Sequence, residues 1–119
     1  MSPESRDLSC LWDMLNAAHK ISERITGKRF FDFQQDETLQ LAVERLLEII
    51  GEASKRVSML FREKHPEIPW KRIAGQRDII SHEYDDMIAE NIWIVAVEYI
   101  PQLITALESL IPNDPKENK

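Results

Sequence analysis

The chain has 119 residues, 43% of them hydrophobic and 30% charged, with 15 Lys plus Arg against 21 Asp plus Glu. That describes one small domain over 1–119, able to bury roughly 65% of the surface its unfolded chain exposes and so to hold a core without disulfides or a structural metal; a two-domain enzyme is excluded. Three glycines (Gly27, Gly51, Gly75) provide no glycine-rich phosphate loop, and the single cysteine, Cys10, excludes an internal disulfide and a cysteine zinc site, which fits a reducing, cytoplasmic setting. The longest apolar run, Ile92 to Val97, falls far short of the roughly 20 residues of a membrane span. Met1 to Asp7 lacks the basic start and apolar stretch of a secretory signal, so neither a membrane nor export is expected.

Helical periodicity dominates from about Asp7 to Ile111, with no sustained period-2 alternation, and the fold class is all-α. In the first helix Leu11, Met14, Ala18, Ile21 and Ile25 recur at intervals of three and four, and Gly27 closes the pattern. Phe30, Phe31 and Phe33 fill the connection as packing residues. A second helix is expected from about Asp36 to Arg62, with Leu39, Val43, Leu46, Ile50, Ala53, Val57 and Leu60 forming a heptad seam. Ala42, Leu47, Ile49, Ser54 and Phe61 widen that seam, and Gly51 in its middle suggests the close approach of another helix, of this chain or of a second copy.

Pro66 and Pro69 break the pattern into a loop, because each biases the preceding residue away from helix. A short third helix then starts at Pro69 or Trp70, carries Ile73, Ile79 and Ile80, and runs to about His82. Asp85 and Asp86 offer an N-cap for a fourth helix from about Met87 to Leu110, with Ile88, Ile92, Val95, Tyr99, Ala106 and Leu110 on one face and a kink at Pro101. The core spans about 8–111 and the polar tail 112–119 is expected to fray. Short connections favour an antiparallel up-and-down bundle of four to five helices, dimerising if the wide second-helix stripe meets a second copy.

The net charge of −6 conceals an uneven distribution. From Lys55 to His82 seven basic residues stand against three acidic ones, whereas Glu83 to Asp114 holds seven acidic residues and no Lys or Arg. The first stretch suits a phosphate backbone, and the second suits a basic partner better than RNA. Both also read more plainly as solvated helix faces.

The densest chemistry lies between Arg77 and Tyr84. If that segment is helical, Asp78 and His82 stand at i and i+4, where the carboxylate can hold the imidazole and favour its charged form. Such a histidine can give or take a proton near neutral pH. Arg77 points about 140° away from His82 around the helix, so one chain would flank a substrate poorly with both and two copies would do so better. His19 and His65 have no second ligand at useful spacing, so no metal site is indicated. Trp12, Trp70 and Trp93 read as core or interface residues.

Several segments, in order, resemble the HepT-like branch of the HEPN superfamily: Ala42 to Ala53 (AVERLLEIIGEA), Pro69 to Gly75 (PWKRIAG), the R-x4-H-x-Y pattern of Arg77, His82 and Tyr84, then Ile92-Trp93 with Pro101-Gln102-Leu103. The resemblance covers about Leu8 to Ile111. It implies the toxin half of a toxin–antitoxin pair, a metal-independent endoribonuclease whose Arg and His meet across a homodimer interface. By the same resemblance Arg77, Asp78 and His82 form the catalytic set and no cofactor is needed. Tyr84 matches the tyrosine that a minimal nucleotidyltransferase (MNT) antitoxin modifies with AMP, which would set negative charge and bulk beside Arg77. Asp78 departs from the Asn commoner in the family, and a carboxylate there repels phosphate. The alternative is a catalytically silent binding module, an adaptor or substrate for a nucleotidyltransferase. A purely structural dimerising bundle would leave Arg77 to Tyr84 unused.

Overall fold

The computed structural model describes residues 3–74 and 86–111, and every regular element in them is helical. Helix α1 (Pro3–Ile25) buries Leu11, Met14, Leu15, Ala18 and Ile21 along one stripe. It packs most extensively on α3 (Glu37–Arg56) and next on the last helix. Gly27 ends α1 with φ +78°, a backbone conformation that costs glycine nothing, while Lys28 N–H donates to the Ile25 carbonyl at 3.0 Å. Cys10 is buried in the same stripe, and desolvation pushes its thiol pKa above the ordinary value.

The phenylalanine connection is itself a short helix, α2 (Phe30–Gln34). Asp32 accepts from the Arg29 backbone N–H at 2.9 Å, and that bond, with the Arg29 side chain, holds its carboxyl below the usual range. Gln40 of α3 closes the other end by donating Nε2 to the carbonyls of Phe33 and Gln34, at 2.8 and 3.0 Å. Phe33 is buried with its ring centroid 5.4 Å from that of Trp93, and Phe30 lies 6.2 Å from the same ring. Phe31, expected to pack, is instead exposed beneath the Arg29 guanidinium.

The second helix expected to run to Arg62 stops at Arg56. Val57 turns extended (ψ 136°), Ser58 caps a separate helix α4 (Met59–Lys64), and Ser58 Oγ accepts from Phe61 N–H at 3.1 Å. The break is fixed from far away. Asp7 of α1, only 4% exposed, accepts from both the backbone N–H and the Oγ of Ser58, each at 2.8 Å. The seam is therefore buried at Val43, Leu46, Ile50, Ala53 and Val57 and ends there, leaving Leu60 62% exposed.

Gly51 does mark a close approach, by the chain's own backbone: a Cβ at Gly51 would stand 3.5 Å from the carbonyl oxygen of Ile73. The neighbour at Gly51 therefore belongs to the same chain, at a distance that an added methyl would tolerate, and the glycine no longer argues for a second copy. The loop at Pro66 and Pro69 is present as expected, pinned by the buried Ile68, and helical backbone resumes over 70–74.

The last helix comprises α5 (Asp86–Ile94), a π-helical turn (Val95–Tyr99) and α6 (Ile100–Leu110). The distortion expected at Pro101 takes the form of this turn just ahead of it, in which Ile100 N–H reaches back five residues to the Val95 carbonyl. Proline has no N–H to continue the ordinary ladder, and a widened turn accommodates it. One extra residue in the turn shifts the helical phase. The buried set is Ala89, Ile92, Ala96, Ile100, Leu103 and Leu107, not the expected face through Val95, Tyr99, Ala106 and Leu110, which are half-buried. Ala89–Leu110 is long and apolar enough, by length and composition alone, to match a membrane span, with a mean hydropathy of 1.2 over its most apolar window. Its buried stripe packs against α1, as a core helix does.

Candidate functional site

Arg77, Asp78, His82 and Tyr84 all lie outside the described residues, as does Asp85. The structure instead describes the chain leading into that segment. Phe61 of α4 stacks on His65 with ring centroids 4.4 Å apart and meets the edge of Trp70 at 6.4 Å. Trp70 Nε1 donates to the His65 carbonyl at 3.0 Å, closing the proline-bounded loop into a rigid bend. His65 Nδ1 lies 3.1 Å from Glu67 Oε2. The Glu67 carboxyl is held below the usual range, first by its own backbone N–H and then by His65.

Past the bend, Arg72 crosses to the last helix. Its Nη2 donates to the Tyr99 hydroxyl at 2.5 Å, and its guanidinium carbon stands 3.8 Å from the centre of the Tyr99 ring. Tyr99 is the final residue of the π-helical turn, and the extra residue there withdraws it from the buried stripe and presents it to Arg72. Between the two elements lies a cavity of about 280 Å³. Ile73, Ile100, Leu103 and Ala106 supply its apolar wall, while Glu67, Arg72, Tyr99 and Gln102 supply polar groups.

The cations Lys55, Arg56, Lys64, Lys71 and Arg72 of the basic segment are exposed, while Arg62 is half-buried with a buried Nε that has no hydrogen-bond partner among the described residues. Glu90, Glu98 and Glu108 of the acidic stretch are exposed as well. His19 lies 3.4 Å from Glu108, joining α1 to α6 at the surface. All three tryptophans are half-buried against the core, as expected of packing residues.

The match to known proteins covers the frame and the motif together. The family model described as "Ribonuclease HepT-like" matches residues 14–110. The chain belongs to this family. A protein named "Probable ribonuclease HepT" from Thermococcus cleftensis is 41% identical over 100 residues, covering 84% of this chain and 91% of its own length. A candidate RNase of Caldanaerobacter subterraneus is 40% identical over 101 residues, covering 85% and 90%. Another, of Methanocaldococcus jannaschii, is 35% identical over 98 residues, covering 82% and 90%. No solved structure matches the chain.

The HepT-like assignment agrees with the resemblance read from the second-helix phrase and the R-x4-H-x-Y pattern, and it sets the chain among ribonucleases of the HEPN type. The contact between Arg72 and Tyr99 was not legible beforehand. Tyr99 reads as a core-face residue under a uniform helical period, and Arg72 is then one of many surface cations. The available signal was Pro101: a proline two residues after a tyrosine, deep in a helix, requires a distortion that moves the tyrosine around the helix axis.

Proposed function

We propose that this HepT-like chain is a metal-independent endoribonuclease, the toxin of a two-component toxin–antitoxin pair, acting in the cytoplasm as a homodimer. In this reading His82 takes the proton of a ribose 2′-hydroxyl, whose oxygen attacks the adjacent phosphorus, and protonates the departing 5′-oxygen. The products are a 2′,3′-cyclic phosphate and a 5′-hydroxyl, and no water or metal enters the step. Arg77 of the second protomer stabilises the charge on the phosphate in flight, and Asp78 orients His82. Tyr84 is the residue that an MNT-type antitoxin modifies with AMP, covering Arg77 with a phosphodiester of its own. Membership of the ribonuclease family across a match that includes Arg77 to Tyr84 carries this reading. The exposed cations of the preceding segment support it by suiting an RNA backbone.

The test uses protein purified without its partner and shown by intact mass to carry no AMP, incubated with RNA in EDTA beside His82→Ala. The parent is expected to cleave, and the variant to lose about 10²- to 10⁴-fold in rate. Equal cleavage by both would assign the activity to a contaminant. Sedimentation as a monomer alone at micromolar concentration would remove the composite site.

Asp78 and the exposed acids of the last helix favour a second reading, a silent binding module for a nucleotidyltransferase. No RNA cleavage by the unmodified dimer, together with tight partner binding, would select it.

A further inference from the structure

We propose that the cavity between residues 67–73 and the last helix is a nucleobase subsite, which takes one base carrying an exocyclic amino group from single-stranded RNA. The proposal rests on the ribonuclease reading for the identity of its ligand, and on the cavity's own geometry for everything else. At about 280 Å³ the cavity falls just below the roughly 300–1,000 Å³ of sites for larger ligands, so it suits a single ring system and not a whole cofactor. One wall is apolar, formed by Ile73, Ile100 and Leu103, all buried. The opposite side offers what a base needs: a planar cation to stack on and polar groups to read an edge.

Arg72 supplies the plane. Tyr99 holds its guanidinium by the hydroxyl bond and by the ring beneath it, so the rotamer freedom that an exposed arginine would lose on binding is already spent. Guanidinium planes and aromatic rings are the stacking platforms of single-stranded RNA recognition. The edge-reading groups are acceptors. Gln102 spends one of its two Nε2 hydrogens on the Glu98 carbonyl at 2.9 Å and keeps its amide oxygen as an acceptor, and Glu67 adds an ionised carboxylate. Two acceptors favour the amino group of cytosine or adenine and oppose the O4 carbonyl of uracil. Arg72 precedes Arg77 by five residues, a chain reach of at most about 18 Å, so a base held here belongs to a nucleotide near the proposed scissile bond.

The experiment measures fluorescence anisotropy of labelled hexanucleotides with His82→Ala protein, which holds RNA without cutting it. Three probes are compared: a cytidine hexamer, a uridine hexamer, and an abasic hexamer with the same phosphates. The cytidine hexamer is expected to bind about tenfold more tightly than the other two, a ratio that one stacked and hydrogen-bonded base supplies. Adding Arg72→Gln should erase that advantage while leaving abasic binding within about twofold, beyond the loss of one phosphate contact. Tyr99→Phe, which keeps the ring and drops the hydroxyl, should reduce the advantage in part. Unchanged helicity by circular dichroism distinguishes these effects from unfolding. Equal affinity for cytidine and uridine, or an equal loss on cytidine and abasic probes, would overturn the subsite and leave the ribonuclease reading intact. No binding of any probe by a parent that also fails to cleave RNA would remove both.

Discussion

The α1–α3 pair and the corner where residues 65–74 meet the last helix are built on opposite terms. Along α1 and α3 the buried positions are apolar side chains at helical spacing, and the main polar intrusion, Asp7 onto Ser58, is fully hydrogen-bonded at the far end. The corner keeps a cavity of about 280 Å³, a proline-bounded loop, a π-helical turn and an arginine held on a tyrosine. A void forgoes the dispersion contacts its lining atoms would make, so the corner stabilises the fold less per residue than the pair does. The difference indicates where each kind of residue matters. Periodic apolar residues build the pair, and departures from periodicity build the corner.

The largest effect expected from a single polar change lies at the end of the pair. Asp7→Ala leaves the Ser58 N–H and hydroxyl without their acceptor and should destabilise the fold by about 2 kcal/mol, read by urea unfolding. Asp7→Asn should recover part of the loss by keeping one acceptor. A loss near zero would mean that water replaces the carboxylate and that the break after Arg56 has another cause.

The two regions touch at Gly51, and a substitution there measures how tightly. Because the added methyl would meet the Ile73 carbonyl at an ordinary contact distance of 3.5 Å, Gly51→Ala should stabilise α3 by about 1 kcal/mol, seen as a higher melting temperature. Destabilisation would show that the 70–74 segment must press closer to α3 than this distance.

The smallest effect is one of pH. Glu44 of α3 has its pKa raised, first by desolvation and then by the neighbouring Glu48. A carboxyl with a higher pKa folded than unfolded penalises the fold when ionised, and the penalty fades as pH falls through the folded pKa. Glu44→Gln should therefore melt slightly above the parent at neutral pH. The two should converge below the ordinary glutamate range, and a constant gap across that window would assign the effect to packing.

Much of the pair was legible in the sequence, because Leu11, Met14, Ala18 and Ile21, and Val43, Leu46, Ile50 and Ala53, carry a local signal that burial then honours. The overshoot to Arg62 had a non-local cause: Ser58 is capped by a residue 51 positions earlier, and the heptad pattern continues through the break as if nothing interrupted it. The last helix misled for a related reason. Its apolar residues are dense enough that two faces fit, and one additional residue in the Val95–Tyr99 turn selects between them. Arg77, Asp78, His82 and Tyr84 were legible as a pattern in order along the chain. The partnership of Arg72 with Tyr99 spans 27 positions and depends on that same turn, so Pro101 could announce that Tyr99 leaves the core face but not which residue it meets.

Cys10 is the chain's single thiol, carried by α1, buried, and lining the same hollow as Arg56 at the end of α3. An alkylating reagent acts on the thiolate, which burial disfavours here, so labelling is slow in the folded chain and fast when α1 lifts away. The modification rate then counts those openings one molecule at a time, and with a pulse of reagent the protein carries its own chronometer for how often its spine comes apart.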